Sequence, residues 1–310
     1  MILAAIDLGS NSVKITVLEA ATTAGPQVLF EDAQITRISE GAETTGALHP
    51  QAIERTLAAL RVMVGQARDL GAQQIRCVAT AGLRGVDNAA VFVERARSEV
   101  GLTVEIIDGD QEAELAFAAP ASRYGPGPLV VIDPGGRSTE VVTGDGASIH
   151  AKVSLPLGGV RLTERFLLDD PPSPRQLRAC EAHIDEVLKS APEAPPGARM
   201  VGLSGTVVAL YGHHHQRRDI VEVIREAEGQ PLSEAAVDDA VLALSRRPAA
   251  DRVLGTVIGP GRADVIVAGA MIARGVLRRY SMEALTVSNL GVRYGVLTAM
   301  SAIAANPRGG

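Results

Sequence analysis

Tryptophan is absent from this 310-residue chain, and it holds four tyrosines and four phenylalanines. Proteins that hold single-stranded nucleic acid need aromatic platforms for the bases, and this chain has little material for them. It has two cysteines, Cys77 and Cys180. They exclude a multi-disulfide scaffold and a zinc site of four thiolates, and they read as buried reduced thiols. No apolar run approaches the ~18 residues that a membrane span needs. Met1 to Ile6, ahead of Asp7, carries no basic residue and is too short for a signal peptide, so the cytoplasm is the expected location. Positive charge is not in excess either. The net charge is −6, which argues against nucleic acid or an anionic membrane as partner of the whole surface. What is present is an ordinary soluble composition, 46% hydrophobic and 21% charged, on a chain long enough for about two domains.

Short β-type runs alternate with helical patterns, which predicts an α/β fold. Leu3–Ile6, Val13–Glu19 and Val28–Ile38 read as strands. Gln51–Leu70 reads as a helix with Ile53, Leu57, Leu60 and Val64 on one face, introduced by His49-Pro50 and stopped by Gly71. Ile75–Ala79 and Val104–Ile107 read as strands, Asn88–Val100 and Gln111–Ala121 as helices. The Pro- and Gly-rich stretch Ala119–Pro128 predicts a domain boundary, after which the pattern restarts with strands at Leu129–Ile132, Thr139–Thr143 and Ser148–Val153. The expected domains are residues 1–121 and 122–295, with a C-terminal helix over 296–310 packed back on the first; the last residues, 306–310, are expected to be disordered.

The informative feature is an echo at long range. Asp7-Leu-Gly-Ser-Asn-Ser12 fits the pattern D-x-G-x-x-S, and so does Asp133-Pro-Gly-Gly-Arg-Ser138. Each lies between two apolar strands near the start of a predicted domain, which points to a duplicated unit. Glycine lets a turn present successive N–H groups to an anion, and serine, asparagine or threonine side chains add donors. The leading aspartate repels phosphate but can hold a divalent cation that bridges to it. Two such turns facing each other would clamp a phosphate chain in an interdomain cleft.

These residues resemble the exopolyphosphatase/guanosine-pentaphosphate phosphohydrolase (Ppx/GppA) family. The resemblance covers nearly the whole chain, through Ala4–Ser12, Val78-Ala-Thr-Ala-Gly-Leu-Arg84 with Asn88, Gly109-Asp-Gln-Glu-Ala-Glu-Leu115, Ser154–Glu164, Gly202-Leu-Ser-Gly-Thr206, Arg262–Ile266 and Thr286–Gly295. It implies two ribonuclease-H-like domains of the actin/hexokinase/Hsp70 superfold. It also implies hydrolysis of a terminal phosphoryl group from polyphosphate or guanosine pentaphosphate, with polyphosphate favoured. Glu112 stands at the position of the general base and Arg84 at that of an arginine reaching the phosphate. Gly9, Ser10, Asn11, Ser12, Lys14, Gly135, Gly136, Arg137, Ser138 and Thr139 match the two phosphate loops, and Gly205 and Thr206 a third. Asp133 and Glu140 are the implied contacts of Mg²⁺ or another divalent cation, with Asp7 a further candidate. A homodimer is a family expectation.

The second loop departs from the family's D-I-G-G-G-S-T-E. Pro134 removes an N–H, and Arg137 replaces the third glycine. If that position needs a positive φ, Arg137 carries strain; alternatively, it adds a cation to the phosphate site. The departures motivate a second reading, a protein that binds polyphosphate or a guanosine alarmone with weak or no turnover. An ATP-dependent kinase of the same superfold is a third and weaker one. His213-His-His215 reads as a solvated cluster at a helix end, because three consecutive side chains diverge too much to share one ion.

Overall fold

The computed structural model describes residues 1–20 and 25–305; the expectation for residues 306–310 lies outside them. The chain divides into two compact units, Met1–Ala119 with the helix that begins at Val292, and Pro120–Gly291. Among the described residues no helix is long and apolar enough to cross a membrane.

In the first unit β1 (Ile2–Leu8), β2 (Ser12–Glu19) and β3 (Gln27–Ile35) form an antiparallel meander. The short α1 (Ala42–Thr45) and long α2 (Pro50–Asp69) lead to β4 (Gln74–Ala79), which lies parallel to β1. Next come α3 (Ala89–Arg95), a π-helical turn over Ala96–Val100, β5 (Val104–Ile106) parallel to β4, and α4 (Gly109–Tyr124). Parallel neighbours require a crossover, which α2 and α3 supply. The sheet order is β3-β2-β1-β4-β5. The expected apolar stripe of α2 (Ile53, Leu57, Leu60 and Val64) is buried, and His49 caps the helix by accepting the Gln51 N–H.

The second unit repeats this plan. β6 (Pro128–Pro134), β7 (Thr139–Asp145) and β8 (Ser148–Leu155) form the meander. α5 (Gly159–Phe166) and α6 (Pro174–Leu188) precede β9 (Arg199–Gly202), parallel to β6. α7 (Ser204–His214), α8 (Ile220–Ala227), β10 (Pro231–Ser233), α9 (Glu234–Ser245), α10 (Ala249–Arg252) and α11 (Ile266–Arg279) lead to β11 (Ala284–Val287), parallel to β9. The order is β10-β11-β9-β6-β7-β8. With the edge strand β10 set aside, a meander is again extended by two parallel strands on the side of its first strand. The ribonuclease-H-like fold is therefore present twice, each copy around its own apolar core.

Some features differ from the sequence reading. The helix expected over Gln111–Ala121 runs on through Tyr124, with Pro120 inside α4. Proline deletes one helical hydrogen bond, but Ala116, Phe117, Ala119 and Ala121 are buried on both sides of it, and that packing carries the helix across. α8 has no counterpart in the sequence reading. Its signal is Asp219, whose Oδ1 accepts the N–H groups of Val221 and Glu222 at 2.8 and 3.4 Å.

The last helix, α12 (Val292–Ala305), packs on β1 and β2. Its buried Arg293 donates to Thr16 Oγ1 at 2.7 Å and to Glu31 Oε1 at 2.9 Å, and Tyr294 donates to the same Glu31 oxygen. Hydrogen bonds on the guanidinium offset the cost of burying its charge. Gly295 brings α12 against α4, where a Cβ would stand 2.0 Å from the Leu115 carbonyl oxygen. We expect Gly295→Ala to destabilise the fold by about 1–3 kcal/mol through overpacking. Gly65→Ala, in the interior of α2 with nothing within 4 Å of the new methyl, should instead stabilise by about 0.5–1 kcal/mol. Thermal unfolding of the two variants checks both signs.

Candidate active site

The two D-x-G-x-x-S segments form the same turn. Asp7 faces Lys14 and Leu8 faces Val13 across β1 and β2; Asp133 faces Glu140 and Pro134 faces Thr139 across β6 and β7. Gly9 N–H donates to Ser12 O at 3.0 Å, and Gly135 N–H to Ser138 O at 2.9 Å. In both turns the glycine is held close to that oxygen, with a Cβ falling 3.2 and 3.0 Å from it.

Each turn also has its carbonyls drawn backward. In the second, Gly135 O accepts from Gly159 N–H at 2.9 Å, and Gly136 O accepts from Val160 and Arg161 at 2.8 and 3.0 Å. These are first-turn donors of α5. In the first, Asn11 O accepts from Thr36 and Arg37 N–H at 3.1 and 3.0 Å, and Ser10 O accepts from the Ser39 N–H and hydroxyl, both at 3.4 Å. A trans peptide holds its N–H opposite its C=O. The N–H groups of Asn11 and Ser12, and of Gly136 and Arg137, therefore point away from these anchors. Outward N–H groups in a Gly-containing turn make an anion-binding concavity.

The second loop accommodates its departures. Among the described residues the non-glycine positions with positive φ are Arg37, Ser204, Gln216 and Ser281, so Arg137 carries no left-handed strain. Room for the 136–137 peptide comes from Gly158, where a Cβ would stand 2.3 Å from Arg137 N and Gly136 O. Pro134 lies past Ile132, where the pairing of β6 with β9 ends, so its missing N–H is not needed on that side. Thr139 is fully buried and donates its hydroxyl to Leu157 O at 2.7 Å, so that group is committed to the fold.

Residues directly opposite on antiparallel strands share a face. Asp133, Glu140 and Ser154 thus form one row across β6, β7 and β8, and Ser154 donates to Glu140 Oε1 at 2.7 Å. Two adjacent carboxylates repel each other and suit a shared cation. The equivalent row in the first unit is Asp7, Lys14 and Ala33. There an ammonium stands where the second unit has Glu140, and it competes with a cation for Asp7. Asp133 and Glu140 therefore fit a divalent ion better than Asp7 does. Among the described residues no three histidine, cysteine or acidic side chains converge, so the pair would need phosphate oxygens and water to complete a Mg²⁺ shell.

Glu112 sits in the first turn of α4 and is 6% exposed. The helix start is fixed by a reciprocal cap, with Gln111 N–H donating to Asp108 Oδ1 at 2.8 Å and Asp108 N–H to Gln111 Oε1 at 3.0 Å. The Gln111 side-chain oxygen thus closes the cap on the Asp108 N–H. Arg84 Nη1 donates to Glu112 Oε2 at 2.5 Å and to Ile107 O at 3.1 Å. Gly82, two residues before Arg84, abuts the first turn, where a Cβ would lie 2.9 Å from Ser10 Cα. The first turn, Arg84 and Glu112 are therefore consecutive neighbours.

Gly205 and Thr206 lie at the start of α7, tied to β6 by Leu203 N–H donating to Ile132 O at 2.8 Å. Ser204 before them has φ 82°, a strained value for a residue with a Cβ, and its Oγ accepts the Thr206 N–H at 3.1 Å. Arg262 lies on Gly205, where a Cβ would come within 2.4 Å of Nη1. Desolvation pulls the Arg262 guanidinium down to about 10, still charged at neutral pH. Arg262, Gly158 and Ser154 belong to segments that sequence reasoning quoted without giving them a role. Their one-dimensional signal is a short polar or glycine motif, and the partner that explains each lies far along the chain.

Burial raises the Asp7 carboxyl above its ordinary range, opposed by Lys14 and Arg293. A carboxyl with a raised folded pKa binds its proton more tightly in the folded state, so it lowers stability as pH rises through that window and beyond. Asp7→Asn is expected to raise Tm at pH 7, with the gain fading toward about pH 4, where the unfolded carboxyl also protonates. Thermal melts across pH check this.

Comparison with known proteins agrees with the geometry. Residues 16–302 match the model of the Ppx/GppA phosphatase family. Exopolyphosphatase 2 of Mycobacterium tuberculosis is 32% identical, over 96% of this chain and 98% of the relative. Exopolyphosphatase 1 of Mycobacterium bovis is 26% identical, over 96% and 87%. The crystal structure of the Aquifex aeolicus Ppx/GppA family member is 30% identical and superposes with a TM-score of 0.81, covering 99% of both chains. An exopolyphosphatase from Cytophaga hutchinsonii is 25% identical with a TM-score of 0.86, over 97% and 98%. With matching phosphate turns in two matching domains, and a family model spanning nearly its whole length, the chain belongs to the Ppx/GppA phosphatase family.

Proposed function

We propose that this protein is an exopolyphosphatase, hydrolysing the terminal phosphoanhydride bond of inorganic polyphosphate. The observation that carries the reading is the doubled turn, which in each unit directs backbone N–H groups outward while its carbonyls are held inward. A phosphate chain presents negative charge along its whole length, and a turn of this kind suits it. The names of the relatives support polyphosphate over guanosine pentaphosphate as substrate.

In this mechanism the N–H groups of Asn11, Ser12, Gly136 and Arg137 hold phosphate oxygens, helped by the hydroxyls of Ser10, Ser12 and Ser138 and by Lys14. Arg262 with Gly205 and Thr206 offers a further phosphate site. Glu112 accepts the proton of the attacking water as its oxygen bonds to the terminal phosphorus. The bond to the bridging oxygen breaks, and the shortened chain leaves with that electron pair. The products are orthophosphate and a chain one unit shorter. The transition state is largely dissociative, so catalysis rests on positioning and on neutralising oxygen charge. Asp133 and Glu140 would hold Mg²⁺ or another divalent cation, which when bound supplies such neutralisation.

Loss of a general base typically costs 10²–10⁴ in rate. Glu112→Gln should therefore lower phosphate release from polyphosphate by at least about 100-fold with KM little changed. Release at the wild-type rate would remove Glu112 from this role. Glu140→Gln should raise the Mg²⁺ concentration for half-maximal activity by about tenfold or more. An unchanged requirement would move the metal elsewhere.

A further inference from the structure

The arrangement around Glu112 poses a problem for the mechanism just given, on which this inference rests. A base must reach a water molecule, yet the Glu112 side chain is 8% exposed and a guanidinium lies on its Oε2 at 2.5 Å. Such a charge-assisted hydrogen bond stabilises the carboxylate and makes it a poorer proton acceptor. The Arg84 side chain is the more open partner, 24% exposed. Arg84 is also held by a neutral anchor, the Ile107 carbonyl. Two residues earlier Gly82 packs on Ser10 of the first phosphate turn. The guanidinium is thus within a short segment of the place where the phosphate chain is to sit.

We propose that Arg84 is a substrate-displaced latch on Glu112: in the free protein it covers and neutralises the carboxylate, and a phosphate chain on the first turn draws the guanidinium away, uncovering the base. A phosphoryl oxygen is a better partner than the carboxylate because each terminal phosphate carries more than one charge and accepts arginine bidentately. The exchange couples activation of the base to occupancy. It keeps Glu112 weakly basic until there is a phosphorus to attack, and it places a cation on the phosphate at the same moment. The other charged groups near Glu112 are Asp108 at the helix cap and Asp110 and Glu114 on α4 itself. α12, which meets α4 at Leu115, turns its Arg293 to Thr16 and Glu31 instead. Departure of Arg84 would therefore raise the basicity of Glu112.

The test is a ¹³C-carboxyl NMR titration of the full chain, with Glu112 assigned by its loss in Glu112→Gln. Wild type and Arg84→Met are compared, each with and without an imido-bridged triphosphate, at one Mg²⁺ concentration. In wild type the analogue should raise the Glu112 titration midpoint by at least about one pH unit, a tenfold gain in proton affinity. In Arg84→Met the midpoint without analogue should already be raised, and the further rise on binding should be much smaller. An equal analogue-induced rise in both proteins, or no rise in wild type, overturns the latch. Phosphate release from polyphosphate is assayed on the same preparations. Release without the shift refutes the latch and leaves the hydrolase; the shift without release refutes the hydrolase and leaves the latch.

Discussion

The backward pull on the turn carbonyls is the constraint on which the site depends. A peptide group is rigid, so fixing its C=O fixes its N–H. In the second unit the fixing partner is the first turn of α5; in the first it is the segment that follows β3. The meander thus does more than start a sheet. Its third strand delivers the donors that orient the turn between the first two, and anion-binding N–H groups follow from the topology. Gly158 and Gly82 allow this, since a side chain at either would strike the turn it supports.

Duplication gave the two turns the same frame and different charges. Lys14 and Glu140 occupy equivalent positions, each opposite the leading aspartate of its turn. In the first unit the row sets the Lys14 ammonium opposite the Asp7 carboxyl, whose pKa it lowers. In the second it carries two carboxylates, one of them braced by Ser154. Under the proposed function the first row would meet phosphate directly and the second through a divalent ion. The asymmetry has a stability side. Asp7 is buried at a cost to the fold, as polar groups built for ligands commonly are.

The polar residues from Ser288 to Tyr294 enter two local networks. Glu228 accepts from Tyr124, from Ser288 Oγ at 2.8 Å and from Asn289 N–H at 2.7 Å, anchoring within the second unit the segment that leads into α12. Glu31 then receives Arg293 and Tyr294 in the first unit. The unusual polar residues at 288–294 found partners on other strands and helices. No reading of the segment alone could supply those partners.

Residue order by itself determined the alternation of elements, the doubled turn and the family, because strand and helix periods and the D-x-G-x-x-S echo are local patterns. It also placed Glu112 at a helix start, since a cap is encoded within four residues. It ended this helix at Ala121, because the burial on both sides of Pro120 that carries α4 on to Tyr124 is not a local pattern. The strain it raised at Arg137 is absent, because φ at that position is decided by Gly158 and α5 rather than by its neighbours in sequence. Arg262 on Gly205, Ser154 on Glu140 and above all Arg84 on Glu112 belong to the tertiary structure alone. Sequence could name these side chains, but a charge is governed by what lies within a few ångströms of it, and only the folded chain decides that.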